Sequence, residues 1–570
     1  MSGLRTEDRA PVFLLDWDIG GQIVRVSSGA VDANGRLLPV QVSDDAGRTY
    51  TYPPGLEVDT ANTVLEDVVS VFDVEVRYDL DWAEFEARGG MLDRLPATLR
   101  LWFPGQTLEQ ARVLVRGETQ LASYGLVEDP VGFSIVSDHT DGASVLPPPG
   151  ATVSSDTWPV STPNYDFAPN VDGAAYPVVI GYPGHHPTPG AAADIPDPAV
   201  PALYVEREDP NISGNDYWLF AIGSVEATKV NLWNMSVWPP EESATATGGS
   251  TVTEAADKLG RTVSGIRTGV LTDEGDRYWV GFQNDGTYGG GMKSEYGDHV
   301  MRGAGEVIRW VYSRHSRVDI DEGRMIGAQS YLDRYLVDTW FNSRVNMVEW
   351  LRESILVDLP VVGVQGPNGF YFAPMRWGAT SKDAVARLDI TGRAWAREGG
   401  LSKWDEPIRN SVTVNYRWSE DRRFASTRTL TAEGQLWTDA LGRNQLPALP
   451  WYATTADARI LGDGLAAKSQ AQFGVYDHTR ELKWTFDDNT ALRVAHDVLL
   501  RNAWPKRQGR CIGSLDGIEL RPGDVVLVND DEMHLADRVA LVLDTVVSVD
   551  EMAVDYLLLD HPFNEPKKTS

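Results

Sequence analysis

A chain of 570 residues with 42% hydrophobic, 23% charged and 9% aromatic content is too long for one ordinary core and too apolar to be disordered, so roughly three to five packed domains are expected. Against 51 Lys and Arg stand 82 Asp and Glu, a formal net charge of −31 with no basic block, which excludes a nucleic-acid binder that works by neutralising phosphate. The same acidity suits DNA sliding along a wall without sticking, solubility in a crowded assembly, or a salty habitat.

The first residues, Met1 to Asp8, show no apolar core followed by a small-residue cleavage site, and no apolar run reaches the roughly 18 residues of a membrane span. A soluble protein made in the cytoplasm, with no membrane partner, is expected. Phe72, Val74, Val76 and Tyr78 fall on one strand face while Asp73, Glu75 and Arg77 fall on the other, the period of two of a half-buried sheet. Asp81 as N-cap with Glu84 three positions on predicts a short helix over 82–88. Further strands are predicted at 97–103, 113–117 and 131–136, so residues 1–145 read as a β domain with one helix. The stretch 145–156, with Pro147, Pro148 and Pro149 followed by serines, cannot hold a sheet ladder and marks a boundary.

Residues 146–320 read as a β-rich insertion domain, with strands at 176–181 and 216–222 and a mobile loop at 241–251. A helical connector follows at 321–380. Its first helix is expected at about 327–339. A second starts at an Asn346 cap with Glu349 at the third helical position, carries Val348, Leu351, Ile355 and Leu359 on one stripe, and ends at Pro360. Residues 381–570 read as a second β domain. Val412, Val414, Tyr416 and Trp418 share one strand face, and a helix over 490–503 is apolar at Leu492, Ala495 and Leu499. Strands 517–520 and 525–528 flank Pro522-Gly523, the pair a type II turn needs, and predict a hairpin. Strands at 539–549 and 553–559 close the chain. The fold class is therefore mainly β (α+β).

The residues that carry chemistry elsewhere are sparse or badly spaced. Cys511 is the one cysteine, which excludes an intramolecular disulfide and a CxxC site; its flanks place it at a strand start as a buried small hydrophobe. The nine histidines are scattered, and the adjacent His185 and His186 point opposite ways on an extended chain. There is no GxSxG elbow for a nucleophilic serine. In the glycine-rich loop 286–294, Met292 precedes Lys293 and Ser294 where a phosphate-binding loop needs glycine, so a hairpin tip is the better reading. The acidic clusters 273–276 and 319–322, the latter with Asp319, Asp321 and Glu322, lack EF-hand spacing. Trp102, Trp218, Trp350 and Trp418 sit in apolar strand or helix patterns and read as core. No catalytic residue, cofactor site or metal site is assigned, and the expectation is that the protein is not an enzyme.

Three groups of segments resemble the tail-tip baseplate hub proteins of long-tailed (siphophage-like) phages and gene transfer agents. Arg100-Leu101-Trp102-Phe103 with 111–117 and 131–135 is similar to the end of their first tube-like domain. Tyr176-Pro177-Val178-Val179-Ile180-Gly181 looks like the start of their insertion domain, and 350–361 with 369–372 looks like the helix and strand before their second tube-like domain. The resemblance implies two tail-tube-like β-barrel or sandwich domains per chain, 1–145 and 381–570, and a homotrimer whose six such domains meet the sixfold tail tube. It also implies a place in the virion at the tail tip or baseplate. The implied partners are a distal tail protein, the tail tube or tape-measure protein, tip or fibre proteins, and DNA passing through the lumen without specific binding. Hub families that carry a lysozyme or peptidase domain differ from this chain, which has no segment left over for one. The competing reading is a carbohydrate-binding or depolymerising tail fibre or spike protein, which would show repeats of fixed period, and none is seen. A third is a head or connector component.

Overall fold

Strand Val12–Ile19 divides its side chains between two cores: Phe13, Leu15, Trp17 and Ile19 on one side, Val12 and Leu14 on the other. It belongs to a computed structural model that describes residues 11–31, 35–58, 62–63, 70–77, 91–123, 130–137, 145–147, 152–154, 156–158, 165–167, 171–184, 199–208, 215–225, 229–236, 241–242, 250–251, 253–269, 277–282, 291–316, 318–366, 369–390, 395–419, 423–431, 434–438, 444–445, 465–513, 520–547 and 552–559. The architecture is mainly β, as the sequence predicts.

The first sheet runs in the order Gln22–Ser27, Val12–Ile19, Pro96–Trp102, Arg112–Ser123, Val131–Ser137, Ser70–Val76 and Leu56–Val58, with all neighbours antiparallel. Its ends are stitched together, since Ser27 N donates to Pro53 O at 2.8 Å and Gly55 N to Ser27 O at 2.9 Å. A closed sheet has no free edge there. Gly55 sits at φ +147°, and a Cβ on it would lie 2.2 Å from Arg77 O, so only glycine lets the closing segment come this near. The predicted strands all form, and Val74 and Val76 are buried while Asp73 and Glu75 are exposed. The helix expected at 82–88 lies outside the described residues. A hairpin of Val40–Ser43 and Thr49–Tyr52 covers the outer face, packing Val40, Val42 and Tyr52 on Val12, Leu14 and Trp102.

The insertion forms a nine-stranded sheet around Val200–Glu208 and Asn215–Ile222. Alternation again serves two cores, with Trp218 and Phe220 in one and Tyr217 and Leu219 in the other. The two ends of the loop expected at 241–251 are short strands, Glu241–Glu242 and Ser250–Thr251, both paired with Lys229–Asn234; residues 243–249 are outside the described set.

The helical part differs from expectation in three places. Helix Ala304–His315 lies inside the stretch assigned to the insertion domain, yet it packs in the central core with Val307, Ile308, Trp310 and Val311. No helix is predicted there from the sequence. Gly305 lets it cross the next helix closely, a Cβ there being 2.6 Å from Gln329 Cα. The helix expected at about 327–339 spans Glu322–Leu332, because Asp321 caps its start by accepting from Arg324 N at 3.0 Å. Asn346 caps the third helix as predicted, accepting from Val348 N and Glu349 N. That helix runs only over Met347–Leu351 before a π turn at Arg352–Leu356, although Val348, Leu351, Ile355 and Leu359 are all buried on its stripe.

The stretch 381–570 holds two sheets. Ser411–Ser419 belongs to a five-stranded sheet, between Arg423–Thr431 and Asp477–Glu481, backed by helices Leu465–Phe473 and Asp488–Asn502. Val412, Val414 and Tyr416 are buried as predicted, but Arg417 takes φ +58° and turns inward, leaving Trp418 half-buried. The second sheet is six-stranded, in the order Ala386–Asp389, Val525–Asp530, Leu535–Val547, Met552–Leu558, Arg507–Gly513 and Trp395–Lys403. The turn before Val525 forms, with Asp524 N on Arg521 O at 3.0 Å and Gly523 at φ +87°. The first strand of the hairpin predicted across it lies, but for Leu520, outside the described residues, and Val525–Asp530 is paired on both sides, parallel to Ala386–Asp389 and antiparallel to Leu535–Val547. The last two strands pair with each other as expected.

Candidate functional site

The six-stranded sheet is apolar on both faces. Val525, Leu541, Leu543, Leu557 and Leu559 enter the central core with the helices. Val526, Val528, Ala540, Val542, Tyr556 and Leu558 enter the same core as Phe13, Leu15, Trp17, Leu99 and Phe133 of the closed N-terminal sheet. Two β units from opposite ends of the chain therefore share one hydrophobic interior. Burial on both faces explains the unbroken apolar runs at 539–543 and 556–559, which strict alternation would not allow.

Asp338 ties the helical core to its neighbours. It has no solvent exposure and accepts from Arg302 Nε at 2.6 Å, Arg302 Nη2 at 3.0 Å, Tyr182 N at 2.8 Å and Phe486 N at 3.3 Å. Its own amide donates to Trp484 O at 2.7 Å. Burial opposes the charge on Arg302, but Asp338 together with Asp487 and Tyr182 outweighs it and holds the guanidinium above its ordinary value. No local motif announces this joint, since the partners stand 36, 148 and 156 positions away.

A second charged arrangement crosses the six-stranded sheet. Glu398 pairs with Arg510 at 2.9 Å, Arg510 lies 3.8 Å from Asp555, and Asp555 stands opposite Asp544 in the strand register. Burial pushes the Asp544 carboxyl up to about 6, with the Thr545 amide pulling it down and the Asp555 charge adding to the rise.

The acids singled out at 319–322 go to different partners. Asp319 reaches Arg116 Nη1 at 2.9 Å, tying the first β unit to the helices, Asp321 is a helix cap, and Glu322 accepts from Arg309 Nε at 2.8 Å. Of the glycine-rich loop, 286–290 lie outside the described residues, while Lys293 pairs with Asp298 and the buried Ser294 donates to Glu306. His185, His186 and 273–276 are also outside the described residues. Cys511 is fully buried in Arg507–Gly513, and burial pushes its thiol up to about 12, so it packs as a small hydrophobe. Trp102 and Trp218 are buried and Trp350 is half-buried against the central core.

No family model matches the chain, and no curated protein matches it by sequence. Among solved structures it is similar to the 43 kDa tail protein of prophage MuSo2 from Shewanella oneidensis, at 8% identity over 96% of this chain and 98% of that one, with a TM-score of 0.30. It is similar to a chain in the virion of a native gene transfer agent particle, at 11% identity over 74% of this chain and 90% of that one, TM-score 0.35. A tail protein from Neisseria meningitidis MC58 aligns at 10% identity over 96% of each chain, TM-score 0.30.

Proposed function

We propose that this chain is a structural protein of a phage tail, the hub of the tail tip, acting as a trimeric adaptor between the sixfold tube and the tip and as the wall of the DNA ejection channel. The observation that carries the reading is the shared interior of the two β units. Locked together, they act as one rigid pair, so three copies supply six units to a sixfold neighbour without a symmetry mismatch. The resemblance supports the same reading: its segments 100–103, 111–117 and 131–135 belong to the closed sheet, and 350–361 with 369–372 form the short helix and strands after the insertion.

In this role the protein is a scaffold without an active site. Its neighbours are a distal tail protein, the tail tube or tape-measure protein, and tip or fibre proteins. Its net charge of −31 favours a wall that repels DNA over one that holds it. Native mass spectrometry of the full chain tests the reading. A trimer is expected; a monomer or dimer alone, or immunogold label at the neck rather than the tail tip, overturns it.

A further inference from the structure

Helix Glu322–Leu332, helix Asp488–Asn502 and the chain after strand Gly369–Pro374 enclose a cleft of about 300 Å³. Arg334 enters it just past the first helix, Arg493 from the second, and Arg376 from the chain between. Against these three arginines the lining holds two carboxylates, Asp383 and Asp497, an excess of positive charge in a chain of net charge −31. Both carboxylates also have other work. Asp383 closes the turn Ser381–Asp383 by accepting from Thr380 N at 2.8 Å and Thr380 Oγ1 at 2.9 Å. Those bonds, more than Arg376 at 3.9 Å, hold its carboxyl below the usual range. Asp497 accepts from the Tyr335 hydroxyl. Burial pushes its carboxyl up against the pull of His496, Arg334, that hydroxyl and Arg493.

Arg334 is the cation left over. Among the described residues it forms no ion pair; its Nη2 donates to Tyr335 Oη at 3.0 Å, and its Nε is buried without a hydrogen-bond partner. Its guanidinium stands 3.7 Å from the Tyr331 ring centroid, and that of Arg376 stands 5.8 Å from the same ring. Arg493 Nη1 donates to Arg334 O at 2.6 Å, which pins the segment carrying Arg334 against the second helix. A cationic donor buried without an acceptor is costly, and an incoming anion removes that cost. Two guanidiniums gathered on one ring suit an anion with several oxygens and more than one negative charge. A carboxylate fills a single guanidinium fork, whereas the oxygens of one phosphate group can bridge two.

We propose that this cleft is a binding site for a phosphate group, held between Arg334 and Arg376 with the Tyr331 ring as their platform. The site stands apart from the tail reading: loss of phosphate binding leaves the trimer test untouched, and the reverse. The probes are inorganic phosphate and glycerol 3-phosphate, each titrated into the full chain by calorimetry. Saturable binding of at least one is expected at about 50 mM salt, weakening as salt is raised. Tighter binding of the ester assigns the phosphate to a larger ligand, tighter binding of the free ion to inorganic phosphate, and either upholds the site. Arg376→Gln loses only a long, half-exposed pair with Asp383, so it should weaken binding about tenfold without changing the thermal midpoint of the ligand-free chain. Arg334→Gln should weaken binding further, and Arg387→Gln, at an exposed pair with Asp537, should leave it unchanged. The proposal is overturned by absence of saturable binding of both probes, by full affinity in Arg376→Gln, or by equal affinity for acetate, which would show that the cleft does not distinguish a phosphate from a single carboxylate.

Discussion

A buried carboxylate is tolerated only when its lone pairs are filled and its charge is matched, and Asp338 meets both conditions through Arg302, Tyr182 and Phe486. Asp338→Ala leaves the Arg302 guanidinium buried without its counter-charge, and a loss of about 3–5 kcal/mol is expected in urea unfolding. A loss below about 1 kcal/mol would mean that the joint is not held electrostatically. Asp544 works in the opposite sense. With its folded carboxyl raised to about 6, the group favours folding below the unfolded value near 3.8 and that contribution is lost as pH rises through 6. Asp544→Asn therefore stabilises the protein at pH 8 by about 2–3 kcal/mol and has little effect near pH 3.5. A gain of the same size at both values would point to packing instead. Neither residue stands out in the sequence, because a buried acid and an exposed one are written with the same letter.

At the scale of elements, the legible features were those whose cause is local. The Asn346 cap, the alternation at 73–76 and the Pro522-Gly523 turn all follow from a few adjacent residues and all form. Helix Ala304–His315 was missed because its glycines answer to another helix, not to their own backbone. Gly305→Leu forces that crossing apart, and an overpacking cost of about 2–3 kcal/mol is expected as a lowered thermal midpoint; an unchanged midpoint would show that the two helices can separate freely. The strand pairing around Val525–Asp530 follows a related rule. Its turn is local, but the partner of Val525–Asp530 is chosen by competition among strands, and Ala386–Asp389 and Leu535–Val547 occupy both sides.

At the scale of the whole molecule, the decisive feature is that residues near 13–135 and near 388–558 enclose one interior. Expressed alone, residues 1–145 lose the part of the shared cluster that Val526, Val528, Ala540 and Val542 supply, so the fragment should bind a hydrophobic dye and aggregate, while the full chain should not. A soluble, dye-negative fragment with native-like unfolding would show that the first unit has a core of its own. By itself the sequence determined the mainly β class, most strand positions, the helix cap at Asn346 and the chain's acidic character, because periodicity, capping and charge depend on near neighbours or on sums. Tertiary structure alone decided that the two β units share a core and that Arg302 and Asp338 meet. Each of those depends on which distant segments win the same space, and pairing across tens to hundreds of residues leaves no local mark.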